Sequence, residues 1–284
     1  MIQNADDVTA EYAVETLAPS VELLYKPSVS VAAKTDLGRV RENNEDKFEF
    51  YMPADPATLA TRGLVFLVCD GMGGHAAGQI ASELACKTFI DVYMHHPASE
   101  PETAMLSAVV AANRFVLDNS RAFPDRKGMG TTLSGLILIQ NRAYTVQLGD
   151  SRIYRLRGGD IEALTVDHTW VNEAIREGVL KPEEAENHPY KHVLTRAVGA
   201  EPEVHPEINS IDLAPGDLFL LCSDGLTNHV HDESLGEILS SHGLAEAAWT
   251  LIGHALQGGG SDNTTVLLVR VDDILDLAPG PAAV

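Results

Sequence analysis

The chain has 284 residues, 45% apolar and 21% charged, the ordinary balance of a folded protein. Twenty Lys and Arg against 41 Asp and Glu give a formal charge of −21, which argues against nucleic acid or an anionic membrane as partner. No run reaches the roughly 18 apolar residues of a membrane span, the first residues lack the cationic start of a signal peptide, and three cysteines suit a reducing compartment. A cytoplasmic protein without disulfides is expected.

Residues 1–28 read as an acidic tail, with Pro19 and Pro27 and no sustained period. Alternation from Val29 predicts a first strand. The polar run Arg39–Asp46 then places Arg41, Glu45 and Asp46 within six residues. Phe48, Phe50 and Tyr51 resume an aromatic strand. Leu64–Cys69 is an apolar run between Gly63 and Gly71, the pattern of a buried strand, and it ends on Asp70. A carboxylate there is costly unless it is paired or holds a metal. Gly71, Gly73 and Gly74 let the backbone turn and bring a carbonyl close to a ligand.

Helical spacing follows over His75–His95 and about Glu102–Ala122. Strands are expected over Leu133–Ile139, Ala143–Leu148 and Arg152–Arg157, with Gly149-Asp150 and Gly159-Asp160 read as turns. This antiparallel meander disfavours a parallel doubly wound sheet. Residues 167–199 interrupt it and read as an inserted flap, with a short helix near Trp170–Glu177 and His168, His188 and His192. Leu218–Gly225 repeats the earlier pattern, an apolar strand running into Asp224-Gly. Helices are expected over Asp232–Ser241 and Leu244–Gln257. Asp262-Asn263 precedes the last apolar strand, which ends near Val271. One domain over 29–272 and a short tail over 273–284 follow.

Asp46, Asp70, Asp224 and Asp262 in one cleft would repel one another and gain protons or cations. Oxygen-only donors, with the Gly71 carbonyl among them, favour Mg²⁺ or Mn²⁺ over zinc. Two such ions roughly 3.5–4 Å apart would share and acidify a water. Arg41 offers the planar fork that matches phosphate oxygens. The chemistry points to metal-assisted hydrolysis of a phosphoester. An isolated Asp-Gly is usually a turn, but two apolar strands ending in it and a third opening with Asp-Asn are harder to explain that way. His75, His168 and His192 are candidates for the general acid, although a lone histidine is more often a packed or surface residue.

Seven segments occur in order: Arg41-Glu-Asn-Asn-Glu-Asp46, Asp70-Gly-Met-Gly-Gly-His75, Gly128-Met-Gly-Thr-Thr132, Gly149-Asp-Ser-Arg152, Leu194-Thr-Arg-Ala-Val-Gly199, Ser223-Asp-Gly225 and Gly260-Ser-Asp-Asn263. Together they resemble the metal-dependent serine/threonine protein phosphatases of type 2C, in their bacterial branch. The resemblance implies an α+β fold, a four-layer α-β-β-α sandwich of two antiparallel sheets flanked by helices, with metals at one end between the sheets. It implies that Asp70 bridges two ions, Mn²⁺ or Mg²⁺, that the Gly71 carbonyl joins one, and that Asp224 and Asp262 complete the pair. Glu45 and Asp46 match the acidic pair beside the metals, and Arg41 the phosphate-binding arginine. Asp125 matches a ligand that would share a third ion with Asp224. The flap would contact substrate. Met72 stands where many eukaryotic members carry a candidate general-acid histidine, which leaves the proton donor unassigned, metal-bound water being preferred over His75.

The expected partners are proteins phosphorylated on serine or threonine and an opposing kinase, the chain itself being a monomer. A phosphatase dedicated to one partner, such as an anti-sigma antagonist or secretion-system component, is the alternative. A non-catalytic phosphoprotein-binding adaptor is disfavoured because the metal aspartates are all present.

Overall fold

The computed structural model describes residues 21–74, 76–185 and 188–278. Most of the tail expected over 1–28, the end of the one expected over 273–284, and His75 lie outside these residues. In chain order, β1 (Tyr25–Asp36) and β2 (Asp46–Tyr51) flank the polar turn, and α1 (Pro56–Arg62) leads to β3 (Leu64–Met72). The long helices α2 (Ala76–His95) and α3 (Pro101–Ala122) precede a single 3-10 turn at Pro124–Arg126. The meander is β4 (Gly130–Thr131), β5 (Leu133–Ile139), β6 (Arg142–Leu148), β7 (Arg152–Arg157) and β8 (Asp160–Ala163). The flap carries α4 (Trp170–Arg176) and α5 (Pro182–Ala185). The remaining elements are β9 (Glu207–Asp212), β10 (Leu218–Cys222), α6 (Asp224–Thr227), α7 (Asp232–Ser241), α8 (Leu244–Gln257) and β11 (Thr264–Asp276).

The strands form two antiparallel sheets. One has the order β1-β11-β10-β7-β8, the other β2-β3-β5-β6-β9, with β4 paired to β3. Period-two alternation sorts each buried strand between two layers. On β3, Val65, Leu67 and Cys69 pack with Ala81, Phe89 and Met105 of α2 and α3. Phe66 and Val68 point the other way, meeting Phe219, Leu221, Leu267 and Val269 between the sheets. On the far side, Leu220, Cys222 and Leu268 face Leu235 and Leu251 of α7 and α8. This is the four-layer α-β-β-α arrangement expected. The three cysteines are free and buried, and the Cys69 and Cys86 Sγ atoms stand 3.4 Å apart in the helix-facing core.

Several boundaries differ from expectation. β1 starts at Tyr25 rather than Val29, and β11 runs to Asp276, pairing with Tyr25. A register shift at Ser28/Val29 breaks the alternation there, which hid the first four residues of β1. Helix α1 was not foreseen. It follows a cap recognisable in hindsight, Asp55 Oδ2 accepting from the Thr58 amide at 2.8 Å with Pro56 in the first turn. β9 was missed as well, being an exposed strand at the end of its sheet.

Candidate active site

The same alternation that puts Phe66 and Val68 between the sheets puts Asp70 there, at the end of β3. Asp46 lies directly opposite it in the β2–β3 register. Two carboxylates paired across a ladder repel. Both are held in place. The Asp70 amide donates to Thr132 Oγ1 at 2.8 Å, and Thr131 Oγ1 donates to the Asp70 carbonyl at 2.9 Å. Asp46 Oδ2 accepts from Ser223 Oγ at 2.7 Å, while Asp46 Oδ1 is buried and unpartnered among the described residues. Burial, ahead of the nearby Asp224 and Asp262 charges and against hydrogen bonds from Ser223 and Thr265, raises Asp46 to about 7. Burial, then Asp46, Asp224, Asp150 and Asp262, holds Asp70 well above the usual carboxylate range.

Gly71 follows in the strand, its amide donating to the Glu45 carbonyl at 3.1 Å. A Cβ at Gly71 would lie 2.1 Å from the Gly78 carbonyl oxygen, and one at Gly78 would lie 2.0 Å from Glu45 Oε2. Only paired glycines let β3, α2 and the Glu45 loop close on one another. Glu45 is further anchored where its amide donates to Asn263 Oδ1 at 2.8 Å and its carbonyl accepts from Ser82 Oγ at 2.7 Å.

Asp224 opens α6 directly after β10. Its Oδ2 accepts from Asn228 at 3.1 Å and stands 3.8 Å from His192 Nδ1, whereas Oδ1 is buried and has no partner among the described residues. Burial first, then Asp262, raises its pKa; Asn228, His192 and a hydrogen bond with Asp70 oppose the rise. Asp262 precedes β11 and accepts from Arg41 Nη2 at 2.6 Å, a bond that raises the Arg41 pKa further. Arg41, Glu45, Asp70, Gly71, Asp224 and Asp262 thus line one cleft of about 710 Å³, with Asp46 buried beside Asp70.

Each of these aspartates except Asp70 has turned a carboxylate oxygen to a protein donor. Among the described residues no three His, Cys, Asp or Glu side chains close about a single point as metal ligands do. The donor set still suits a hard divalent cation: it is all oxygen, two of its buried oxygens are unpartnered, and its carboxylates raise one another's pKa values.

Two expectations change. Asp125 sits on the exposed 3-10 turn and does not line the cleft. That turn is folded against the end of α3, where Ser120 Oγ accepts from the Gly128 amide at 2.9 Å. Asp150, read from sequence as part of a turn, lies in the cleft instead. It is 9% exposed, and burial followed by Asp224 and Asp167 pushes it up to about 8. The signal was present, since β6 is another apolar strand running through one glycine into an aspartate. Of the flap histidines, His192 lines the cleft, whereas His168 is buried, with Nδ1 accepting from the Gly149 amide at 3.3 Å and Nε2 beside Arg196.

The family model for protein phosphatase 2C matches residues 39–249, which span the Arg41, Asp70 and Asp224 segments. The chain belongs to the protein phosphatase 2C family. It is 40% identical over 242 residues to the serine/threonine protein phosphatase PstP of Mycobacterium tuberculosis, covering 85% of this chain and 45% of that one. The chain thus spans about half the length of these mycobacterial relatives. It is 38% identical over 244 residues to the serine/threonine phosphatase stp of Listeria monocytogenes, covering 84% of this chain and 94% of the relative. The crystal structure of Staphylococcus aureus Stp1 superposes with a TM-score of 0.80 at 28% identity, covering 89% and 98% of the two chains. The catalytic domain of PstP in complex with two manganese ions superposes with a TM-score of 0.72 at 38% identity, covering 87% and 99%. The domain shared with these bacterial proteins is that of a serine/threonine protein phosphatase. Among the described residues no helix is long and apolar enough to cross a membrane.

Proposed function

We propose that this type 2C phosphatase removes phosphate from phosphoserine and phosphothreonine in proteins, with two divalent cations, Mn²⁺ or Mg²⁺, held by Asp70, Asp224, Asp262 and the Gly71 carbonyl. Glu45 and Asp46 support the pair, directly or through water. The observation that carries this reading is the convergence of Asp70, Asp224 and Asp262, from distant parts of the chain, on one cleft with Arg41 at its rim. The two manganese ions bound by the PstP domain agree with it. When bound, such cations supply positive charge that admits a phosphate dianion and acidifies a water for in-line attack on phosphorus.

The chain's own residues do the rest. Asp262 would help hold the cation, and Arg41, whose guanidinium now rests on Asp262, would offer its planar fork to two phosphate oxygens. Ser223 and Thr132 hold Asp46 and Asp70 in the mouth between the sheets. Met72 occupies the cleft without a transferable proton. Burial, then the adjacent Arg196, lowers the His168 pKa against the opposing pull of Glu207. Among the described histidines, His192 is the one placed to protonate the departing oxygen. The flap residues Leu194–Ala197 form the far wall, against which the substrate backbone would lie. The activity implies an opposing serine/threonine kinase in the same compartment, the cytoplasm on the thiol and charge composition. A third ion would be shared by Asp125 and Asp224, in addition to this pair.

The test is hydrolysis of phosphothreonine and phosphotyrosine peptides by chelated protein, alone and with Mn²⁺, Mg²⁺ or Ca²⁺. Activity should return with Mn²⁺ or Mg²⁺ and favour phosphothreonine. Undiminished turnover in chelator would overturn the reading.

A further inference from the structure

Beside the cleft, on the side away from the flap, lies a second hollow of about 480 Å³. It shares Arg41, Glu45 and Gly74 with the cleft, so the two are continuous. Its remaining wall is Val40, Glu42, Asn43 and Ala76. Val40 is 68% exposed and is the large apolar side chain of this wall. Glu42 is exposed and forms no ion pair among the described residues. Among the described residues the cation of this wall is Arg41, which is turned to Asp262 in the main cleft.

An apolar shelf beside a carboxylate fits a side chain with a hydrocarbon stem and a cationic head. The geometry points to a substrate subsite at Val40 and Glu42 that takes a lysine or arginine near the phosphorylated residue. This rests on the phosphatase reading and adds a substrate class to it: phosphoserine or phosphothreonine in a basic stretch of protein. Continuity places the hollow next to the proposed phosphate-gripping arginine, so a peptide whose phosphate meets Arg41 can lay a neighbouring side chain on Val40. The charge of the whole molecule, −21, works in the same direction by drawing in basic segments and repelling acidic ones.

Three phosphothreonine peptides that differ only in carrying Arg, Ala or Glu at the positions flanking the phosphoresidue test this with the full chain and Mn²⁺. Their kcat/KM values are compared within each protein, so a general loss of activity cancels. The wild type should favour the Arg over the Ala peptide by roughly 2- to 10-fold, the range of a partly exposed charge pair, and disfavour the Glu peptide. Glu42→Lys should abolish or reverse that order. Glu237→Lys, an equal charge change on the exposed face of α7, should keep it. Equal rates on the three peptides overturn the subsite, as does a preference that survives Glu42→Lys or is lost equally in Glu237→Lys. Loss of all hydrolysis, including that of a small aryl phosphate by the wild type, would instead remove the phosphatase reading and the subsite with it.

Discussion

Arg41 Nη2 sits 2.6 Å from Asp262 Oδ2, so the guanidinium proposed to grip phosphate is bonded to a carboxylate proposed to hold a cation. On the proposed metal site, cation and arginine would compete for one carboxylate. Arg41→Ala should move two quantities in opposite directions. The Mn²⁺ concentration for half-maximal binding should fall, because Asp262 no longer has a guanidinium to release and keeps only the Asn263 amide on its Oδ1. The KM for phosphopeptide should rise roughly 10-fold or more with the bidentate donor gone. Calorimetric Mn²⁺ titration and steady-state kinetics read the two, and a weaker Mn²⁺ affinity would refute the competition.

Asp224→Asn should cost far more activity than stability. Removing a cation ligand should lower kcat by more than roughly 100-fold, exceeding the loss typical of groups that only orient ligands. Its side chain is largely buried among carboxylates that raise its pKa, so deleting the charge should leave Tm in chelator unchanged or higher. Thermal melts beside single-turnover assays separate the effects. A Tm loss that tracks the activity loss would mark Asp224 as structural.

In chelator, stability should fall as pH rises. Asp46 and Asp150 sit at about 7 and about 8 in the folded chain, and Asp70 and Asp224 are raised too. All lie above their values in an unfolded chain, so between about pH 4 and pH 8 the folded state holds more protons. The stabilisation is full at the acid end of that window and lost through pH 7–8. One carboxyl raised from its ordinary value to about 7 represents on the order of 4 kcal/mol, and coupling makes the sum smaller than four separate losses. Denaturant midpoints from pH 5 to 8 should decline in chelator, less steeply in Asp150→Asn, and recover most with Mn²⁺ at the alkaline end.

Gly78→Ala should damage the site from outside the cleft. The new methyl would lie 2.0 Å from Glu45 Oε2 and 2.9 Å from the Gly71 carbonyl carbon, with no flexible chain end to absorb the overlap on the backbone side. Destabilisation of about 2 kcal/mol or more, with weaker Mn²⁺ binding as Glu45 is displaced, is the expected result in denaturant melts and metal titration.

Much of this was legible because the fold and the site share one signal. A buried strand is an apolar run, and a carboxylate on its last turn can only face the mouth between layers, so Asp70 and the strand that carries it were read together. Asp150 was missed because Gly149 intervenes and Gly-Asp is the ordinary vocabulary of turns; only burial beside Asp224 distinguishes it. Asp125 was reached by motif alone: its exposed turn, tied to α3 through Ser120, lies outside the cleft's lining. The first residues of β1 were lost to a register shift, which a pattern of period two cannot reveal.

Asn263 carries one more consequence. Its amide nitrogen donates to the carbonyls of Leu37 and Asn43, and its oxygen takes the Glu45 amide. A side chain just ahead of β11 thus fastens a loop that lies 220 residues earlier in the chain. β11, which follows it, also separates β1 from β10 in their sheet. The acidic mouth is therefore tied to the closure of the sheet: whatever loosens β11 from β1 and β10 loosens the loop that carries Arg41, Glu45 and Asp46 as well.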